Sequence, residues 1–241
     1  MARPANRKNI AMLSSMPVVF LFDVDNTLLD NDRFAADLTA HLDATFGKPE
    51  RERYWTIYDE LRKTLGYADY LATLQSFRKN SVKDKQSELL QMSAFLLDYA
   101  FNERLYPDAI AAVQHLSLLG TTAILSDGDI VFQPRKVQRS GLWNAFAGRV
   151  LITLHKEQNL AEMQERFPAS HYVMIDDKPK LLAAMKQVLG DRLTTVFVRQ
   201  GHYALESFAT PITPAPDLGI ECIGDLLTLQ LSHFIPAARE Q

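Results

Sequence analysis

The feature that most constrains this chain is a five-residue apolar run, Val18-Val19-Phe20-Leu21-Phe22, that ends abruptly in Asp23. Its apolarity is continuous rather than alternating, and it is rich in β-branched and aromatic residues. Such a run reads as a strand covered on both faces, the situation in a parallel sheet. Similar short runs recur at 122–125, 150–152, 172–175, 194–198 and 219–223. Helical patterns separate most of them. Ala109, Ala112, Val113 and Leu116 run up to a stop at Gly120, and Leu181, Leu182, Met185 and Val188 run up to Gly190. Strand–helix alternation of this kind predicts an α/β fold with a doubly wound, mostly parallel sheet.

The stretch 32–102 breaks that alternation. It holds no β-like run, and Phe34, Leu38, Leu42 and Phe46 recur every four residues as a helical stripe. Tyr54, Tyr58 and Leu61, then Leu89, Leu90, Met92, Phe95, Leu96 and Tyr99, continue the helical character. Roughly seventy residues is too long for a simple crossover helix. An all-helical cap at 32–102 is therefore expected, inserted into an α/β core made of 16–31 and 103–241. Residues 1–15 read as a ragged extension, and the proline-rich 211–216 as a loop.

Composition excludes some functions. The chain has 241 residues, 26 basic against 29 acidic, and a formal net charge of −3. With no basic excess to draw a polyanion, nucleic acid is not an expected partner. The apolar run at 18–22 is far too short to span a membrane. The lone cysteine, Cys222, forms no internal disulfide, and a reducing, cytoplasmic setting is expected. Oligomeric state is not legible.

Ligands of open α/β sheets bind beyond the carboxyl ends of the strands. The residues there are Asp23-Val24-Asp25-Asn26-Thr27, then Ser126-Asp127-Gly128-Asp129, then His155-Lys156-Glu157, then Asp176-Asp177. Asp23 and Asp25, two apart, point to the same side of an extended chain. Two carboxylates held together repel, so one keeps its proton. That supplies a nucleophile and a general acid, the pair needed for displacement at phosphorus. Asp177 with these two makes a hard oxygen site suited to Mg²⁺. Ser126 and the backbone N–H groups of the Asp127 loop suit phosphoryl oxygens, with Gly128 leaving the approach open. Lys156 supplies positive charge against the charge that develops on the phosphoryl group.

At these residues the chain resembles the haloacid dehalogenase superfamily of hydrolases, from about Met16 to the end. Asp23-Val24-Asp25-Asn26-Thr27-Leu28 is similar to the family's first motif, Ser126 to the second, Lys156 to the third and Asp176-Asp177 to the fourth. The insert resembles the helical cap of one large subgroup, as does Leu105-Tyr106-Pro107. The resemblance implies that Asp23 is phosphorylated and that Asp25 is the acid/base. It implies Mg²⁺ held by the Asp23 carboxylate, the Asp25 backbone carbonyl and Asp177. Leu181 stands where some members carry a further ligand, with Asp176 as the candidate substitute. Asp127 and Asp129 depart from the neutral residues expected beside a phosphoryl site. The resulting expectation is a Mg²⁺-dependent phosphatase acting on a small phosphorylated metabolite. Phosphomutase and 2-haloacid dehalogenase are the alternatives, and a non-catalytic binding role ranks last. Carbon–halogen cleavage needs neither a general acid nor a metal, whereas this chain keeps Asp25 and Asp177. Arg33, Arg62, Lys63, Arg78 and Lys79 are the cap's candidate anion contacts.

Overall fold

The computed structural model describes residues 17–79, 85–206 and 211–235; the expected extension 1–15 lies outside them. One six-stranded sheet contains β1 (Val18–Phe22), β2 (Thr121–Asp127), β3 (Val150–Thr153), β4 (His171–Asp176), β5 (Leu193–Val198) and β6 (Leu218–Ile220), in the order β3-β2-β1-β4-β5-β6. Every pairing is parallel. The alternate residues of β1 explain its unbroken apolarity. Val18, Phe20 and Phe22 join one hydrophobic core, while Val19 and Leu21 join a second on the other face. The chain runs outward one way from β1 and the other way from β4. The switch point, where such sheets bind ligands, therefore falls between β1 and β4.

Between β1 and β2 lie the helices α1 (Asn31–Phe46), α2 (Lys48–Leu65), α3 (Tyr70–Lys79) and α4 (Gln86–Asp98). α1 begins where the Asp30 carboxylate accepts the Arg33 N–H at 2.8 Å. Its expected stripe of Phe34, Leu38, Leu42 and Phe46 is buried. α2 closes on Gly66 with φ +81°, where a Cβ would come within 2.3 Å of the His155 ring. Glycine is required there twice over, for the left-handed backbone and for the close approach. That approach sets the α2–α3 turn against the loop carrying Lys156.

The two segments joining this helical insert to the sheet run side by side. The Asp30 N–H donates to the Arg104 carbonyl at 2.7 Å, and the Tyr106 N–H to the Leu28 carbonyl at 3.0 Å. Above them an aromatic cluster crosses from insert to core. Phe34 packs on Tyr70 at 5.3 Å and on Phe101 at 5.1 Å. Tyr70 packs at 5.1 Å on Phe132, the first residue of the core helix that follows β2.

In the core, α5 (Ala109–Ser117) covers one face of the sheet, and α6 (Phe132–Arg139) and α7 (Leu142–Ala145) follow β2. The opposite face is covered by α8 (Leu160–Arg166) and α9 (Pro179–Leu189). Two local expectations fail. Val188 does not share the buried face of α9 but is 68% exposed, because Leu182 and Met185 already fill the contact. The last strand stops at Ile220 instead of continuing to Ile223. The Asp225 carboxylate there accepts the N–H groups of Glu221 and Cys222 and turns the chain.

Candidate active site

Asp23 stands directly after β1 at the switch point, and it is buried. Its Oδ1 accepts from Lys156 Nζ at 2.6 Å and from Ser126 Oγ at 3.2 Å. The same Lys156 ammonium lies 2.7 Å from Asp176 Oδ2 and is fully buried. Burial works against its charge, but Asp176 and Asp23 outweigh burial and hold it protonated. Burial likewise pushes Asp23 up, and the ammonium charges of Lys156 and Lys178 overcome it. Asp23 therefore sits below the usual carboxylate range and is ionised.

Beside it, Asp177 is completely buried, and neither of its carboxylate oxygens has a hydrogen-bond partner. Burial first, and the Asp176 charge second, push it up to about 9. Asp23 Oδ2 also lacks a partner. Oxygens of Asp23, Asp176 and Asp177 lie within 4.8 Å of one another. Asp176 is already engaged: Oδ2 faces Lys156, and Oδ1 accepts the Lys178 N–H at 2.8 Å. The free capacity thus lies on Asp177 and Asp23. A hard divalent cation such as Mg²⁺ fits this donor set, since buried orphaned carboxylate oxygens are costly without one.

The Asp25 carboxylate is not part of that group. Its Oδ1 lies 2.7 Å from Lys136 Nζ, and its Oδ2 accepts from Gln133 Nε2 at 3.3 Å. Gln133 Nε2 also donates to Ser126 Oγ at 3.1 Å and so ties the first motif to the second. Lys136 is buried, donates to Asn31 Oδ1 at 3.0 Å, and lies 5.4–5.8 Å from the Phe34, Phe101 and Phe132 ring centroids. The mutual repulsion expected from the two-residue spacing is therefore not the dominant interaction. Each carboxylate has its own ammonium, Lys156 for Asp23 and Lys136 for Asp25. Gln133, Lys136, Asn31 and Lys178 escaped the sequence reading. Gln133 and Lys136 are three apart on α6 and hence on one helix face, just past Ser126. That spacing was the available signal.

Ser126 lies within the cluster, but the side chains after it do other work. Asp127 Oδ1 accepts the Lys156 backbone N–H at 2.7 Å, and burial pushes this carboxyl up. Its side chain braces the Lys156 loop. Asp129 Oδ1 accepts the N–H groups of Val131 and Phe132 and starts α6. Gly128 also makes room for Gln133: a Cβ there would meet the Gln133 side chain at 2.5 Å.

The sequence model of the haloacid dehalogenase-like hydrolases matches residues 18–188. No curated protein matches the chain. A solved structure from Burkholderia xenovorans LB400, described as a haloacid dehalogenase-like hydrolase, is 54% identical. It covers 89% of this chain and 99% of its own, with a TM-score of 0.83. The HAD-hydrolase YfnB of Bacillus subtilis, solved bound to magnesium, is 18% identical over 89% of this chain and 100% of its own, with a TM-score of 0.59. The L-2-haloacid dehalogenase of Xanthobacter autotrophicus is 20% identical over 88% and 97%, with a TM-score of 0.56. The last two likenesses extend to the fold alone. With the match spanning most of the chain and a close structural relative of nearly the same length, this protein belongs to the haloacid dehalogenase-like hydrolases.

Proposed function

We propose that this hydrolase is a Mg²⁺-dependent phosphatase of a small phosphorylated metabolite, working through an aspartyl-phosphate on Asp23. The observation that carries the reading is Asp177, buried beside Asp23 with both oxygens unpartnered. Displacement at a carbon–halogen bond needs no metal ion, and so supplies no cation to satisfy both of these buried oxygens.

In this reading an Asp23 oxygen attacks phosphorus, and the bond to the leaving oxygen breaks. Asp25 gives that oxygen a proton. Lys156 and Ser126 hold Asp23 in line, and Lys156 offsets the charge that develops on the phosphoryl oxygens. A water then attacks phosphorus and loses its proton to Asp25. The bond from phosphorus to Asp23 breaks, and inorganic phosphate leaves. Asp23, Asp177, the Asp25 backbone carbonyl and, in a shared role, Asp176 would hold Mg²⁺, which neutralises phosphoryl charge when bound. Lys136 and Gln133 keep Asp25 pointed at the site through both steps.

The same Asp23–Ser126–Lys156 arrangement also suits displacement at carbon, and dehalogenases share the fold. One experiment separates the two. Phosphate release from an aryl phosphate and chloride release from 2-chloropropionate are measured side by side, with Mg²⁺ and with excess chelator. Phosphate release that depends on Mg²⁺ is expected. Chloride release that survives the chelator, without phosphate release, overturns the proposal.

A further inference from the structure

The cap cations divide sharply in their surroundings. Arg33 pairs with Asp37 at 3.1 Å, and Arg62, Lys63, Arg78 and Lys79 are all exposed. Arg62, near the end of α2, is different. It donates to the Tyr203 hydroxyl, on the short helix α10 (Gly201–Glu206) after β5. It also lies within electrostatic reach of the Tyr58 and Tyr70 hydroxyls, which in turn feel the Asp25 charge. Lys178 Nζ lies 5.3 Å from the centroid of the same Tyr203 ring. Lys178 in turn acts on Asp23, Asp176 and Asp177. Neither Arg62 nor Lys178 has a carboxylate within ion-pair distance among the described residues, where most other arginines of the insert do. The nearby acid Asp32 is already engaged by the His202 N–H at 2.8 Å and ring at 2.6 Å.

We propose that Arg62 and Lys178, both beside Tyr203, form a subsite for a second anionic group on the substrate, a carboxylate or another phosphate carried by the leaving group. The Tyr203 hydroxyl holds the Arg62 guanidinium in place, and an incoming anion replaces that neutral acceptor with a charged one, a stronger partner for the guanidinium fork. Lys178 spans the distance back to the acid cluster, so the two anions of one substrate meet two ends of one cationic strip. The proposal rests on the phosphatase reading of Asp23 and narrows its substrate to esters whose leaving group carries an anion of its own.

The test uses ω-carboxyalkyl phosphates of increasing chain length, their carboxamide counterparts, and alkanediol bisphosphates, with released phosphate as the readout. At the best chain length, kcat/KM for the anion-bearing ester should exceed that of its carboxamide by about tenfold or more, the scale of one charge-assisted hydrogen bond. Whether carboxylate or phosphate is preferred identifies the anion. In Arg62→Met that ratio should fall to near one, and Arg62→Lys should restore part of it. Tyr203→Phe breaks the contact between α2 and α10 but should keep the preference. If Tyr203→Phe removes the preference as fully as Arg62→Met, Arg62 is only a latch and the proposal fails. A ratio near one in the wild-type protein, with the carboxamide esters hydrolysed, also overturns it and leaves the phosphatase reading standing. If no ester is hydrolysed, that reading fails, and calorimetric titration of the matching ω-carboxyalkylphosphonates against their carboxamides still decides the subsite.

Discussion

The charges around Asp23 and those around Arg62 are arranged on opposite plans. Around Asp23, groups come from strand ends and are almost wholly engaged with one another: Lys156 with Asp23 and Asp176, Ser126 with Asp23, Asp127 with the Lys156 backbone. Around Arg62, groups come from α2, α10 and the residue before α9, and among the described residues neither Arg62 nor Lys178 has a carboxylate within ion-pair distance. Neighbouring strands hold atoms to fractions of an ångström, because each is hydrogen-bonded on both sides. Helices packed through side chains leave room for a variable ligand. On the proposed reading, the difference separates a half suited to invariant phosphoryl chemistry from a half suited to choosing the molecule that carries the phosphoryl group.

The sharpest break of that contrast is Asp23→Asn. An amide is a very poor nucleophile toward phosphorus, so kcat should fall by about 10³-fold or more in steady-state phosphate release. Asp25→Asn should be nearly as slow with an alkyl phosphate. With an aryl phosphate the first step needs less help, so a phosphorylated protein should accumulate, seen by mass spectrometry as phosphate on Asp23. A label on any other residue ends the assignment.

Lys136 lies on the border between the two halves. Lys136→Met keeps an apolar stem among the three phenylalanine rings but releases Asp25. A loss of about 10²-fold in kcat with KM nearly unchanged is expected, the scale of a misplaced catalytic group. A change in KM alone would move Lys136 into the substrate-binding half.

Metal gives a gentler readout. Mg²⁺ at about a hundred times its dissociation constant should stabilise the wild-type protein by ~2.7 kcal/mol, read as a rise in Tm. Asp177→Asn should abolish that rise. An undiminished rise in this variant would place the metal elsewhere.

The smallest expected effect lies far from both halves. His171 in β4 is buried against Thr194 Oγ1 at 2.9 Å and the Phe234 carbonyl at 3.1 Å. Burial holds it below its ordinary 6.5. The unfolded chain therefore binds this proton at a pH where the folded one does not. Its contribution is intact above about pH 6.5 and is lost as pH falls through the lowered folded value. Tm should drop between about pH 7.5 and 5.5, and less steeply in His171→Gln. Equal slopes would assign the acid sensitivity to other groups.

Much of this molecule was readable along the chain because its determinants are local. An apolar run covered on both faces must be continuous, so β1 to β5 declared themselves, and acids at strand ends sit where parallel sheets bind ligands. The stripe from Phe34 to Phe46 marked a helix for the same periodic reason. Only the tertiary structure could decide which charges meet. Lys136 is 111 residues from Asp25, and Tyr203 is 141 residues from Arg62. The reversal in strand order at β1 and β4 brings Asp23 against Asp177, and the insert folding back over the sheet brings α2 to α10. Ion pairing depends on distance in space, and spacing in sequence carries no information about it beyond one turn of helix or one strand.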